Sequence, residues 1–379
     1  MKCETYSLGD VCTFIDYRGK TPPKTTSGIP LVTAKIVKNG MIQEPQEFIA
    51  ENYYDEWMRR GIPKKGSVVF TTEAPLGEVA RIRTDDKLAF AQRIIVLEPK
   101  TKQLSADYLF YALQDRVLKS RIEARSTGTT VIGIKAAELK KVEIDLPSLE
   151  EQEKIAAILC SLDDKIELNN KINENLERQA VTLFDNFYNR TDSSVKFTEI
   201  IQIMGGGTPK TGESSYWNGQ IPFFTPKDVG SPYTLTTEKW ITEEGLSHCN
   251  SRLYPVNTVF VTARGTVGKV GMPGVPMAMN QSCYALIGKE IHQLLVYFYT
   301  LKTVDRLKHK ASGAVFDAIT TRDFESESIS KVSDDDAEAF LSIAEPIYQA
   351  ILSNVMENQR LAILRDILLP KLMSGELSV

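Results

Sequence analysis

The feature that most constrains how this chain can fold is an internal repeat that covers most of its 379 residues. From residue 128 onward the two copies keep one constant separation, so that Gly128 corresponds to Gly313 and Ser148 to Ser333. Shorter matches precede it in the same order: GKTPPK at 19–24 with GTPK at 207–210, IPLVTAK at 29–35 with IPFFTPK at 221–227, VVFT at 68–71 with VFVT at 259–262, and AQR at 91–93 with NQS at 280–282. This common order predicts two similarly folded units.

Each copy consists of a long block followed by a shorter segment of different character. The predicted domains are therefore 1–147, 148–190, 191–332 and 333–379, with a hinge at 191–194. The two blocks carry net charges of +4 and +1, whereas the two segments carry −4 and −5. A polyanion would be attracted to the blocks and repelled by the segments.

The two shorter segments have the pattern of long helices. Ser148 and Glu151 form a capping box after Pro147, and Ser333 followed by three aspartates is the equivalent start. Apolar residues then recur at helical spacing, interrupted in each copy by two asparagines. The stripe contains Ile166, Asn169, Asn173 and Leu176 in the first helix, and Ile351, Asn354, Asn358 and Leu361 in the second. Pro346 predicts a kink or break in the second helix, and Pro370 predicts its end.

The asparagines also bear on the orientation of the two helices. Antiparallel packing about their middles would bring Asn169 to Asn358 and Asn173 to Asn354. Buried asparagine layers fix the register of paired helices at some cost in stability. Parallel packing, which would pair Asn169 with Asn354, is not excluded by the sequence, but we favour the antiparallel arrangement.

The long blocks have a mixed α+β pattern. Strand-like runs occur at 31–33, 67–71 and 93–97, bounded by Gly and Pro. A helix is expected near the end of each block, at 106–124 and 291–310, stopping before the glycines at 128 and 313. The predicted fold class is α+β, with two repeated mixed α/β domains separated by two long helices packed as an antiparallel coiled coil.

The sequence offers no recognisable catalytic or metal site. The three histidines (His248, His292 and His309) lack metal-ligand spacing, and no nucleophile-elbow, zinc-protease or phosphate-loop motif occurs. The five cysteines are scattered without a C-x-x-C pair, which indicates neither a disulfide framework nor a zinc site. The glycines at 205–207 are better explained by a tight turn than by a phosphate loop. With no signal peptide or apolar span expected, a reduced cytoplasmic protein is predicted.

Two segments carry a resemblance to a known family. LPSLEEQEKIAAIL at 146–159, continuing to LNNKIN at 168–173, closely resembles the central conserved region of Type I restriction-modification specificity subunits. ENQRL at 357–361 through LLPKLMSGE at 368–376 resembles the distal conserved region. GTPK at 207–210 and TARGTVG at 262–268 are similar to motifs of the family's target recognition domains.

The resemblance implies a non-catalytic DNA specificity subunit. Its two target recognition domains, at 1–147 and 191–332, would each read one half of a bipartite site in double-stranded DNA. Two methylation subunits would dock on the helical spacer, and restriction subunits would join them. S-adenosylmethionine would be held by the methylation subunits, so no cofactor is expected on this chain.

Polar residues on the repeated loops are the candidate DNA contacts. Gln and Asn can read adenine edges and Arg can read guanine, whereas Lys and Thr more often hold phosphate. The candidates are Thr21, Lys24, Lys35, Gln92 and Arg93 in the first copy, and Thr208, Lys210, Lys227, Arg264, Asn280 and Gln281 in the second. Gln92 and Gln281 could equally bond neighbouring backbone, and the lysines could be solvated surface charges. Glu73 stands where the second copy has Arg264, so a phosphate contact cannot be carried to position 73.

Two other functions remain open from the sequence. One is an assembly scaffold whose degenerate domains no longer bind DNA. The other is an enzyme with an unrecognised active site, such as a fused methyltransferase.

Overall fold

The structure is a computed structural model that describes residues 2–17, 21–100, 102–230, 232–310 and 318–379. The chain divides into two compact units. Unit 1 comprises Met1–Lys165 with Leu361–Val379, and unit 2 comprises Ile166–Arg360. Each of two long helices contributes one part to each unit, so the units divide the helices near their middles.

Unit 1 is built from short strands and helices followed by the start of the first long helix. Its elements are β1 (Glu4–Ser7), α1 (Leu8–Val11), β2 (Cys12–Asp16), β3 (Ile29–Val32), β4 (Val37–Lys38), β5 (Met41–Ile42), β6 (Phe48–Ile49), α2 (Tyr54–Trp57), β7 (Val68–Thr72), β8 (Leu76–Arg81), β9 (Ala89–Phe90), β10 (Ile94–Pro99), α3 (Ala106–Ala112), α4 (Arg116–Ala124), α5 (Ala136–Leu139), β11 (Glu143–Leu146), the first part of α6 (Leu149–Tyr188) and the last part of the second long helix, 361–374. The main sheet has the order β2-β10-β7-β8, beside a smaller sheet β6-β3-β9 and the pairs β1-β11 and β4-β5.

Unit 2 repeats this plan. Its elements are the second part of α6, β12 (Ser194–Lys196), α7 (Phe197–Ile200), β13 (Ile201–Gly205), β14 (Trp217–Phe224), β15 (Tyr233–Thr234), β16 (Lys239–Ile241), α8 (Glu243–Ser247), β17 (Val259–Thr262), β18 (Val270–Pro273), β19 (Ala278–Met279), β20 (Cys283–Gly288), α9 (Gln293–Lys310), α10 (Thr321–Ser326), β21 (Ser328–Ser330) and the first part of α11 (Asp334–Ser374). The sheets β13-β20-β17-β18-β15, β16-β14-β19 and β12-β21 correspond to those of unit 1. The predicted α+β class is confirmed.

The strand predictions are confirmed with small shifts of their ends. The runs predicted at 31–33, 67–71 and 93–97 form β3, β7 and β10. β7 and β10 are central strands of the main sheet and are almost wholly buried, which explains their continuous apolar sequences.

The predicted block helices need one correction. In unit 2 the helix α9 is continuous, but in unit 1 the span 106–124 is divided into α3 and α4. The side chain of Asp115 accepts a hydrogen bond from the backbone N–H of Val117 at 3.0 Å and so caps a new helix. An N-cap carboxylate competes with continued helix at its own position. The predicted stop before Gly313 lies outside the described residues.

The second long helix is continuous through both prolines, so the predicted break at Pro346 and the predicted end at Pro370 are wrong, while a kink at Pro346 stays a prediction. α11 runs from Asp334 to Ser374 through Pro346 and Pro370. Proline removes one backbone donor and crowds the preceding turn. Around Pro346, however, Ala344, Tyr348 and Ile351 are buried in the core of unit 2, and this packing holds the helix together.

The two long helices pack antiparallel in unit 2, as predicted. Asn169 Nδ2 donates to Asn358 Oδ1 at 2.9 Å, and Asn354 Nδ2 donates to Asn173 Oδ1 at 2.8 Å. Residues later in the first helix contact residues earlier in the second, which excludes the parallel packing. Asn169 and Asn173 are buried, so the amides pair with one another instead of with water.

Candidate nucleic-acid interface

In unit 2 the repeated motifs form one connected cluster of loops. The backbone N–H of Gly207 donates to Met279 O at 3.1 Å, and that of Asn280 donates to Phe224 O at 2.9 Å. Ala263 N–H donates to Ser282 O at 2.8 Å, and the Thr266 hydroxyl donates to Pro226 O at 2.9 Å. The loops at 205–210, 225–228, 263–268 and 280–282 are therefore held together by hydrogen bonds.

The glycine run in this cluster serves close packing. A Cβ at Gly206 would lie 2.1 Å from the carbonyl oxygen of Asn280, and one at Gly207 would lie 2.6 Å from Asn250 N. Neither residue has the left-handed backbone that a glycine-requiring turn needs. The tight turn expected here is replaced by a close approach of two backbones.

The cluster brings several unit 2 candidates together. The Thr208 hydroxyl donates to Gln281 Oε1, and Asn280 Oδ1 accepts from the backbone N–H of Ser282 at 3.0 Å. The side chain of Asn280 thus holds neighbouring backbone, whereas that of Gln281 contacts only another side chain in these two bonds and is exposed. A side chain that holds a neighbouring backbone is a poorer base reader than an exposed one.

The cations of unit 2 differ in their surroundings. Lys227 lies 3.8 Å from Glu238, and both side chains are largely exposed, so this ion pair is weak. Arg264 is exposed beside Gly265, which has φ of +83°, and makes no ion pair within the described part of the chain. Lys210 is exposed on the loop that leads away from Thr208.

Asp228 belongs to this cluster and was missed from the sequence. Its carboxylate accepts from Thr225 N at 2.7 Å, from the Thr225 hydroxyl at 2.6 Å and from Glu238 N at 2.8 Å. It therefore shapes the loop that carries Lys227. The Thr-x-x-Asp spacing was the available signal, because it lets a carboxylate cap its own turn.

Unit 1 has the same backbone frame. Ala91 N–H donates to Val32 O at 2.9 Å, and Thr72 N–H donates to Arg93 O at 2.9 Å, in the places of the Asn280–Phe224 and Ala263–Ser282 bonds. Ile134 N–H donates to Thr72 O at 2.9 Å, as Ile319 N–H does to Ala263 O. The sequence alignment of the two copies is thereby reproduced at the hydrogen-bond level.

The side chains on the unit 1 frame are different. Arg93 Nε lies 2.8 Å from Glu73 Oε1 in an ion pair at the surface. Gln92 beside it is half-buried. Lys35 is exposed in a short 3-10 helix at Ala34–Ile36, which follows β3.

Thr21 and Lys24 lie on the segment between β2 and β3 of unit 1. Both are exposed, and Lys24 Nζ forms an ion pair with Glu47 at 2.8 Å beside β6. No hydrogen bond among the described residues joins either of them to the loops of Gln92 and Arg93. The neighbouring motif positions Gly19 and Lys20 lie outside the described residues.

The side chains of these loops determine which chemistry the loops can support. Burial raises the pKa of the Cys283 thiol, one residue after Ser282, to about 12, so it is not a thiolate nucleophile at neutral pH. In the ranges that the structure describes, no group of three or more His, Cys, Asp or Glu could hold a metal ion. Nor does any helix in those ranges have the length and apolar character needed to cross a membrane. The exposed groups include amides, hydroxyls, ammonium groups and guanidinium ions, which hydrogen-bond to base edges and phosphates.

Comparison with known proteins agrees with this arrangement. The family described as "Type I restriction modification DNA specificity domain" matches residues 2–178 and again 192–354. The MjaIX Type I restriction enzyme specificity subunit of Methanocaldococcus jannaschii is 26% identical over 93% of this chain and 87% of its own length. The HindI specificity subunit of Haemophilus influenzae is 23% identical over 83% of this chain and 87% of its own.

A solved structure shares the fold. The Type I restriction-modification S subunit from M. genitalium aligns with a TM-score of 0.56 at 17% sequence identity, covering 98% of this chain and 96% of its own. The prediction of a non-catalytic specificity subunit is confirmed by the family match and by the names of the relatives. This chain belongs to the family of Type I restriction-modification specificity subunits.

Proposed function

We propose that this chain binds a bipartite DNA site, with one half read by the loops of each copy of the repeat. The observation that carries the proposal is the recurrence of one hydrogen-bonded loop frame in both units with different side chains on it. A conserved frame with variable exposed polar groups suits two similar readers of two different sequences, because base edges are distinguished by donor and acceptor pattern.

The proposed contacts fall into two classes. Gln92, Arg93, Arg264 and Gln281 carry exposed or half-buried planar groups on the loop frame and would read bases. The lysines and threonines would hold phosphate: Thr21, Lys24, Lys35, Thr208, Lys210 and Lys227. Asn280 would support its loop, since its carbonyl oxygen already accepts from Ser282 N–H.

The domain assignment belongs to the same proposal. Residues 1–147 and 191–332 would be the two target recognition domains, and 148–190 and 333–379 the helical spacer. The acidic spacer would be kept away from DNA by its charge and would dock two methylation subunits, which carry S-adenosylmethionine, and through them restriction subunits. The assembly would act in the cytoplasm, where its DNA lies.

An exchange of recognition domains tests this proposal. Residues 1–147 are replaced by the corresponding domain of another family member, and the chain is produced with its methylation subunits. Sequencing of the methylated DNA should show a change in one half of the site only, because each unit has its own loop frame.

The matched control replaces residues 191–332, which should change the other half. A simultaneous change of both halves would contradict independent reading. Unchanged methylation in both exchanges would favour the scaffold function, in which this chain contributes no sequence choice.

A further inference from the structure

Both units carry one arginine beside an equivalent hydrogen bond that joins two loops, but the arginine lies on a different loop in each unit. The Thr72 N–H···O Arg93 bond of unit 1 corresponds to the Ala263 N–H···O Ser282 bond of unit 2. Position 93 is therefore equivalent to position 282, and position 73 to position 264. Unit 1 has Glu73 and Arg93 at these places, whereas unit 2 has Arg264 and Ser282.

In unit 1 the arginine is held in place. Arg93 Nε lies 2.8 Å from Glu73 Oε1, and the two side chains are 46% and 39% exposed. The ion pair engages Nε, so the outer edge of the guanidinium, with its two terminal nitrogens, can form a two-pronged contact. A guanidinium fork of this kind matches the O6 and N7 acceptors of guanine.

The backbone of Arg93 is also unusual. Its φ of +72° lies in the left-handed region, which a residue with a Cβ adopts only at a cost. Uncommon backbone conformations of this kind cluster at binding sites, where the surrounding structure enforces them. Here the bond from Thr72 N–H to Arg93 O fixes the backbone, while Glu73 fixes the side chain.

Resting on the proposed function, we propose that Arg93 and Arg264 each read a guanine in their half of the site, and that Glu73 orients Arg93 for it. Glu73 is a positioning residue that acts through Arg93. Because the ion pair with Glu73 restricts the side chain of Arg93, that side chain loses less conformational freedom on binding than the side chain of Arg264 does. The guanine in the first half-site is therefore discriminated more strictly than the guanine in the second.

Conservative variants in the complete complex with its methylation subunits test this. R93K and R264K keep the positive charge but remove the planar fork. Each should lower the preference for guanine at one position, in its own half-site, by roughly 10- to 100-fold. Preference is measured by sequencing methylated sites from a library randomised at each position of the recognition sequence.

E73Q is the variant that isolates positioning. It should lower the guanine preference of the first half-site severalfold and leave the second half-site unchanged. Overall DNA affinity should not fall, because the variant also removes a negative charge from the DNA-facing surface. D85N is the matched control, since Asp85 is an exposed carboxylate of unit 1 paired with Lys65 at 3.2 Å and lies outside the proposed site.

Three results would each contradict a different part of the proposal. If E73Q raises affinity for all sequences alike and leaves the guanine preference unchanged, the pair only neutralises charge and the positioning role is wrong. If R93K and R264K change no base preference while the domain exchange still changes its half-site, guanine reading by these arginines is wrong but the proposed function stands. If the domain exchange also has no effect, the proposed function itself fails.

Discussion

The interiors of the two units solve one packing problem in different ways. In both, the helix that follows the main sheet packs against a long helix. At three equivalent positions unit 1 has Arg81, Asp163 and Arg365, whereas unit 2 has Met272, Tyr348 and Ala180. The same backbone arrangement therefore encloses a charged network in one unit and an apolar, aromatic cluster in the other.

The network of unit 1 is connected through short polar contacts. Arg365 Nη1 donates to Asp163 Oδ1 at 2.8 Å, and the Tyr111 hydroxyl donates to Asp163 Oδ2 at 2.6 Å. Arg81 lies over the Phe110 ring, 4.8 Å from its centroid, and donates to Asp107. Burial, and then the Asp163 carboxylate, raise the pKa of Tyr111, so its hydroxyl stays a donor.

The cluster of unit 2 depends on ring packing. Phe184 lies 4.9 Å from Phe298, 5.5 Å from Tyr299 and 5.3 Å from Phe340, between ring centroids. Such pairs contribute beyond the area that they bury. The two units therefore share their backbone hydrogen bonds but differ in the side chains of their interiors. This difference explains why the two copies of the sequence match only in short stretches.

The largest predicted difference between the units follows from Phe184. F184A should lower the free energy of unfolding of unit 2 by about 4 kcal/mol, because a fully buried ring is lost from the cluster. L369A, at the equivalent position of unit 1, should cost about 2.5 kcal/mol. Hydrogen exchange of β17 and β7 reports each unit separately. Equal losses in the two variants would show that the aromatic cluster adds nothing over aliphatic packing.

Removing one charge tests the network of unit 1. R365A should destabilise unit 1 by about 3 kcal/mol, because the Asp163 side chain is only 11% exposed and would lose its ion pair. Unfolding in denaturant, with exchange of β7 as the local probe, measures the loss. D366A is the control, since Asp366 also contacts Arg365 but is mainly exposed, and it should change stability by less than about 0.5 kcal/mol. A loss below 1 kcal/mol in R365A would mean that water replaces the network.

The two units also differ at the starts of their long helices, where unit 1 again uses a buried polar side chain and unit 2 does not. In unit 1 the buried carboxamide of Gln152 accepts from Ser105 N–H at 3.0 Å and donates to Gln103 O at 2.8 Å and Pro147 O at 2.9 Å. Unit 2 has Ala337 at the equivalent position, and His292 Nδ1 accepts from Leu294 N–H at 3.2 Å instead. A backbone N–H at the start of the block helix is thus bonded by Gln152 in unit 1 and by His292 in unit 2.

Q152A should therefore destabilise unit 1 by about 2 kcal/mol, because it leaves buried backbone groups without partners. Faster exchange of the amides at the start of α3 is the expected signature. H292A provides the matched variant in unit 2, where the half-exposed site lets water replace the ring, so the loss should stay below about 1 kcal/mol. If Q152A costs no more than H292A, the carboxamide is not the element that closes this junction.

The sequence was sufficient for the features that depend on periodicity. The repeat, the long helices and their antiparallel asparagine layer all follow from spacing, since a helix of constant pitch places every such residue on one face. The continuous helix through Pro346 was not predictable, because it depends on burial of Tyr348 and Ile351 against the rest of unit 2. Tertiary packing outweighs the local preference of a single residue there.

The candidate interface was predictable only in part, because one of its ion pairs also depends on tertiary structure. Matching loops identified positions 93 and 264, but the ion pair between Glu73 and Arg93 joins residues on two different loops, one after β7 and one before β10. The sequence showed only that an acid replaces Arg264, whereas the structure pairs that acid with the arginine of the neighbouring loop.

The smallest predicted effect concerns a carboxyl group in the aromatic cluster. Glu177 Oε1 accepts from the Tyr297 hydroxyl at 3.2 Å, and burial raises the pKa of Glu177 above its usual value. A raised folded-state pKa favours the protonated carboxyl, so its stabilising contribution is complete at low pH and is lost as the pH rises through the folded pKa. Above the ordinary pKa of a glutamate, burial of this carboxyl group costs free energy that burial of an uncharged amide would not cost. E177Q, which keeps the acceptor for Tyr297, should therefore raise the stability of unit 2 by roughly 0.5 kcal/mol at pH 7.

This gain in stability from E177Q should shrink to nothing as the pH falls below about 4, where the carboxyl group of the unfolded chain is protonated as well. Thermal unfolding of both proteins from pH 4 to pH 8 measures this, and E325Q, at an exposed position of α10 in the same unit, is the control that should show no such trend. A gain that is the same at every pH would assign the effect to packing of the amide and would remove titration of Glu177 from the comparison between the two interiors.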